Sequence, residues 1–151
     1  MKTTVAQNGV TAVELMVVIS IIGFLAVIAV PSYATMRQNL ELNNRAQQIV
    51  GDLRLVQNRA ISSQNDSSHG VRFEQNRYFL YEVDQGGATT DKETRMLEGG
   101  ITIILPVGIP SESVLFTRLF GTTSASAQVD VGFSASNKKT ITVDPIGKIS
   151  Q

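Results

Sequence analysis

No cysteine and no tryptophan occur among the 151 residues, and histidine occurs once. The missing thiols exclude disulfides, thiolate metal sites and thiol catalysis; they leave the compartment open, since an exported protein can do without bridges. One histidine cannot supply a pair of imidazole ligands, and neither a Ser-His-Asp spacing nor a glycine-rich phosphate loop accompanies it. His69 sits in the serine-rich stretch "SSQNDSSHG" and reads as an exposed loop residue. A net charge is missing too: 13 Lys and Arg balance 13 Asp and Glu, so the whole chain has no general pull toward nucleic acid or anionic lipid. Asp91, Glu93 and Glu98 cluster in a glycine-flanked segment, but without alternating oxygen ligands around a required glycine they read as a solvated loop, not a calcium site. The reading is therefore of a protein that is not an enzyme, with no cofactor and no metal.

What the chain does have is one long apolar run, "GVTAVELMVVISIIGFLAVIAVPSY", from Gly9 to Tyr33. Its uninterrupted part, Val10 to Val30, is about 21 residues, or roughly 31 Å of helix, which matches a hydrocarbon core. A membrane-spanning helix is expected there, with Ser20 and Gly23 as small residues suited to close packing and Pro31 removing a backbone donor at its end. A cleaved secretory signal has a shorter apolar region, of about 7 to 15 residues. A plain anchor leaves Glu14 unexplained, because a carboxylate inside a bilayer costs on the order of 3 kcal/mol on insertion scales. The acid wants a partner, and pairing within its own chain or snorkelling to the interface are the bland alternatives.

Gly9, Val10, Thr11, the run Glu14-Leu15-Met16-Val17-Val18-Ile19, Gly23 and Ile28-Ala29-Val30-Pro31-Ser32-Tyr33 resemble the N-terminal segment of type IV prepilins and type II secretion pseudopilins. The resemblance implies a leader, residues 1–9, cut after Gly9 by a prepilin peptidase that also methylates Val10, with Val10 standing where the family usually has Phe. It places Glu14 at the fifth position of the mature chain, where the acid pairs with the α-amine of a neighbouring subunit and sets the stagger of the filament. It also implies other pilins or pseudopilins, an assembly ATPase and an inner-membrane platform as partners, with membrane lipid as the partner before assembly. Lys2 before the span and Arg37 and Arg45 after it leave the orientation open on charge alone. The resemblance puts the leader in the cytoplasm, the span in the inner membrane and the rest in the periplasm.

Beyond Pro31 the helix is expected to resume, because Leu42, Ala46, Ile49, Leu53, Val56 and Ala60 recur at helical spacing and mark one buried face. Gln38, Glu41, Arg45, Gln48, Asp52 and Arg59 lie opposite, fit for solvent or neighbouring subunits, with bends expected near Gly23 and Pro31. After "SSQNDSSHG" the pattern changes to short β-runs: Val71 to Glu74, Tyr78 to Val83, Ile101 to Leu105, Val114 to Leu119, Gln128 to Phe133, Thr140 to Val143 and Lys148 to Ser150. Gln85 to Thr94 reads as a mobile loop and Pro106 to Pro110 as a turn. The fold class is α+β: a leader (1–9), a membrane or filament-core helix (10–31), an amphipathic helix (32–63) and an antiparallel β-rich domain (64–151).

Leu53, Leu55, Ala60 and Ile61, together with the closing segment "LFTRLFGTTSASAQVDVGFSASNKKTITVDPIGKIS", are similar to the GspH/FimT group of minor pilins and pseudopilins. That resemblance implies a structural subunit of a type II secretion pseudopilus or a type IV pilus. The alternative it raises is DNA binding for natural transformation, through a basic C-terminal Gly-Arg-x-Arg motif. Here the corresponding residues are Gly147-Lys148-Ile149-Ser150, with Lys138 and Lys139 nearby. Two or three lysines give a short phosphate footprint, and nucleic acid is not expected as a partner.

Overall fold

The structure, a computed structural model, describes residues 10–105 and 111–151, with the backbone alone for residues 28–32. The expected leader with Gly9, the turn from Pro106 to Pro110 and the ring of Pro31 lie outside the described residues. The chain divides into one unit that ends at Asn39 and a second, Leu40–Gln151. One helix, α1 (Ala12–Ile61), contributes to both and is helical through Gly23 and Pro31.

In the first unit the described apolar side chains of α1 lie open: Val13, Leu15, Met16, Val17, Val18, Ile19, Ile21, Ile22, Phe24, Leu25 and Val27 are all exposed. Among the described residues no helix is long and apolar enough to cross a membrane.

In the second unit α1 is amphipathic, and the spacing of its apolar residues decides which face is buried. Leu42, Ala46, Ile49, Leu53, Val56 and Ala60 are each at most 2% exposed. They pack on two antiparallel sheets. The first has the order β3-β2-β1-β5, built from β1 (Ser68–Glu74), β2 (Arg77–Val83), β3 (Thr89–Met96) and β5 (Glu112–Phe116). The second has the order β4-β6-β7-β8, from β4 (Thr102–Ile104), β6 (Ala127–Ser134), β7 (Asn137–Val143) and β8 (Ile149–Ser150). Val71 is paired on one side with Leu80 and on the other with Val114, and Val129 faces Ile141 across the other sheet. Alternation then sends Val71, Phe73, Leu80, Val114 and Phe116 from one sheet, and Ile103, Val129, Val131, Ile141 and Val143 from the other, into a single cluster with the helix stripe.

Three sequence expectations need correction. Gln85 to Thr94 is not a loop throughout: from Thr89 it is the edge strand β3. Its residues carry no apolar alternation because both faces are largely exposed, and charged partners hold it instead: Arg72 on Asp91 at 2.8 Å and Lys92 on Glu82 at 2.6 Å. His69 is not an exposed loop residue; it lies in β1, 4% exposed, with Nε2 donating to the Gln64 carbonyl at 3.0 Å. Asp52 and Arg59 do not belong to the free face of α1. Asp52 accepts a 2.6 Å hydrogen bond from the Tyr78 hydroxyl, and Arg59 donates to Glu93 at 3.0 Å, so both fasten the helix to the first sheet.

The end of α1 is fixed by residues distant in sequence. The Gln57 amide donates to the carbonyls of Gly121 (3.0 Å) and Gly147 (2.7 Å), clamping two turns against the helix. Gly147 has φ +84°, and a Cβ there would lie 2.3 Å from the Gly121 oxygen, so only glycine fits.

Candidate functional site

The expected pairing acid, Glu14, is in the first turn of α1. Thr11 precedes the helix and serves as its cap. Glu14 Oε2 accepts from the Thr11 backbone N–H and from its hydroxyl, both at 2.9 Å, while Thr11 Oγ1 accepts from the Glu14 N–H at 3.2 Å. This is a capping box, which satisfies orphan donors at the helix start reciprocally. Thr11 stood in the sequence reading without this capping role, although Thr-x-x-Glu before an apolar run is its signature. Thus the acid has a partner inside its own chain, on groups that remain exposed. Val10 precedes the helix and is exposed. Gly23 lies on the exposed helix with nothing within 4 Å of where a Cβ would stand. Ser20, one turn beyond Met16, donates its hydroxyl back to the Met16 carbonyl at 2.8 Å and so needs no outside acceptor.

The three lysines considered for phosphate contact are not gathered in one place. Lys138 and Lys139 are consecutive on β7 and point to opposite faces. Lys138 is bonded to Asp130, which also accepts from the Thr140 hydroxyl at 2.6 Å. Burial works against ionised Asp130, but the bonds from Lys138 and Thr140 outweigh it and hold the carboxyl below its ordinary value. Lys148 follows the far end of the same strand, in the turn closed by Gly147 donating to Asp144 at 2.8 Å, on the order of 15 Å along the strand from Lys139.

The acids considered for calcium each face an arginine. Asp91 meets Arg72, Glu98 meets Arg45 at 3.6 Å, and Glu93 meets both Arg59 and Arg95. They belong to a belt of charges joining α1 to β2 and β3. Tyr78, buried at its centre, has its hydroxyl pushed far above the ordinary range by burial and by the bond to Asp52. Around the turn after α1, the bonds from Lys92 and Asn65 hold Glu82 below the ordinary carboxylate range. The belt orients a helix on a sheet.

No family model and no curated protein matches the chain. Among solved structures, the minor pseudopilin EpsH from the Type 2 Secretion System of Vibrio cholerae matches with a TM-score of 0.57 and 16% identity, over 73% of this chain and 94% of that one. The fold is pseudopilin-like. A long helix laid on two antiparallel sheets is thus shared with a minor pseudopilin even where few residues are.

Proposed function

We propose that the chain is a minor subunit of a type II secretion pseudopilus or a type IV pilus, stored in the inner membrane and passed from there into a filament. The observation that carries this reading is the all-round exposure of apolar side chains from Val13 to Val27, on a chain whose fold matches a minor pseudopilin. Burying a large apolar side chain is worth about 1.5 to 3 kcal/mol, and here the described residues leave those side chains exposed. Lipid covers the helix first and neighbouring helices cover it later. That exchange changes apolar burial little, so register must come from polar groups.

Glu14 is that group. Before assembly Thr11 keeps its carboxylate satisfied. Cleavage after Gly9 frees an α-amine on Val10, and methylation keeps its charge. In a filament the amine of a neighbouring subunit meets Glu14, so that a chain docked out of register leaves both ions without their partners. The leader faces the cytoplasm and the second unit the periplasm. A prepilin peptidase, an assembly ATPase, a membrane platform and other pilin-like subunits complete the machinery.

Mass spectrometry of the mature protein tests the processing: the expected chain begins at methylated Val10, and an intact Met1 on assembled material overturns the reading. Glu14→Ala is expected to remain in the membrane at normal levels and to be lost from sheared filaments by about tenfold or more, the equivalent of one lost ion pair of about 1.4 kcal/mol.

A further inference from the structure

Where α1 ends over the first sheet, a cavity of about 200 Å³ is lined by Arg59, Gln64, Asn65, His69, Glu82 and Lys92, every one of them polar. One wall is the turn after the helix, in which Ser63, Asn65 and Asp66 hold φ at 51°, 56° and 53°. Residues other than glycine seldom take that region, and such strain persists only where surrounding contacts over-determine it. Three contacts do so here. His69 Nε2 donates to the Gln64 carbonyl at 3.0 Å, the Asn65 amide donates to Glu82 at 3.2 Å, and Arg118 donates to the Asp66 carbonyl at 3.1 Å. The wall is therefore set by the chain's own bonds before anything enters the cavity.

The bond to Gln64 also fixes the tautomer of His69. Because a carbonyl can only accept, Nε2 carries the proton and Nδ1 is an acceptor. The residue is 4% exposed, and Nδ1 has no partner among the described residues. It is not sealed in, since the enclosed side-chain atom left without a partner among them is Ser63 Oγ; Nδ1 opens on the cavity that the ring lines. The groups around it are rich in spare N–H. Arg59 engages Glu93 through Nη2, Lys92 uses one of its three protons on Glu82, and the Gln64 amide bonds nothing among the described residues. Both oxygens of Glu82 are already occupied, one by Lys92 at 2.6 Å and the other by Asn65 at 3.2 Å. We infer that the cavity binds a phosphate group that still carries a proton, with its bare oxygens on Arg59 and Lys92 and its O–H donating to His69 Nδ1. Sulfate has the same shape but no proton near neutral pH, so it sets an oxygen lone pair against the nitrogen lone pair. A metal cation is disfavoured, because Arg59 and Lys92 flank the one carboxylate in the lining. The site lies within the second unit and does not depend on the filament reading.

The lone histidine makes the test direct. The full chain in detergent micelles, isotope-labelled in histidine, gives one signal for each ring nitrogen in the whole protein. Inorganic phosphate near neutral pH is expected to move the Nδ1 resonance saturably, and sulfate at equal ionic strength to bind at least about tenfold more weakly. Lys92→Met is expected to weaken phosphate binding about tenfold while the Nε2 signal, which reports the bond to the turn, stays in place. Gln64→Glu changes an exposed side chain without changing its size, sets a negative charge in the lining and is expected to abolish binding. Glycerol phosphate separates the two sources of the ligand: affinity equal to that of inorganic phosphate assigns the site to a phosphomonoester such as a lipid headgroup, and binding of inorganic phosphate alone assigns it to the free ion. No movement of Nδ1, equal responses to phosphate and sulfate, or unchanged binding in Lys92→Met and Gln64→Glu would each overturn the inference and leave His69 as a tie for the turn.

Discussion

The two halves of α1 are the same secondary structure written in two codes. From Leu42 to Ala60 the apolar residues keep to one stripe, and the chain's own sheets cover it. From Val13 to Val27 they run all round the helix, and each large one is exposed. Periodicity therefore says whether the partner of a helix is internal: a stripe implies a core within the molecule, and an apolar cylinder implies a surrounding medium or a bundle. Polar residues divide in the same way. In the second unit Asp52, Arg59 and Arg95 are tied into the belt around Tyr78. In the first, the described partner of Glu14 is a threonine three residues away.

The sharpest way to break this comparison is to remove equal volume from each half. Leu53→Ala, in the core, is expected to cost about 3 to 4 kcal/mol in urea unfolding of the full chain in detergent. Leu25→Ala is expected to leave the same transition within about 0.5 kcal/mol; an equal loss would mean that both halves share one core. Gly147→Ala, which forces a Cβ onto the Gly121 carbonyl at a positive φ, is expected to cost about 3 kcal/mol in the same assay. Tyr78→Phe removes the donor to Asp52 and is expected to cost about 1.5 kcal/mol.

The smallest effects are pH-dependent and opposite in sign. Asp130 titrates below its ordinary value in the fold, so its contribution is present above the ordinary carboxylate range and is lost as pH falls through the lowered value. Asp130→Asn is therefore expected to be destabilising by about 1 kcal/mol near neutral pH, with the difference fading in acid. Burial raises the Glu112 carboxyl despite its bond from the Gln128 N–H. Its contribution is full in acid and declines as pH rises through the raised value, so Glu112→Gln is expected to stabilise slightly at neutral pH and to be neutral in acid. Thermal melts across this range check both. Changes that left the two variants parallel would show that neither group titrates differently on folding.

What was legible in the sequence follows the same division. All six stripe residues of α1 are buried, and the strands with apolar alternation fall where their patterns put them, with ends displaced by a residue or more. Strand β3 was opaque because its sequence, TTDKETRM, is that of an edge held by neighbouring arginines and a lysine; only the β-branched threonines and the preceding Gly86-Gly87 hinted at a hairpin. His69 was opaque for a related reason: its acceptor, the Gln64 carbonyl, is presented by a turn in which Ser63, Asn65 and Asp66 all take positive φ, which composition does not reveal. For the candidate site, Glu14 stood out as a lone charge, but its capping partner was overlooked.

The Gln57 clamp has a bearing on how the molecule comes into being. Its two acceptors are 64 and 90 positions further along the chain, so a nascent polypeptide has to extend past Gly147 before the latch can close. Until then the carboxyl end of α1 depends on Tyr78 and Glu93, the earlier-made partners of Asp52 and Arg59, and the latch at Gln57 is a late addition to a helix already seated.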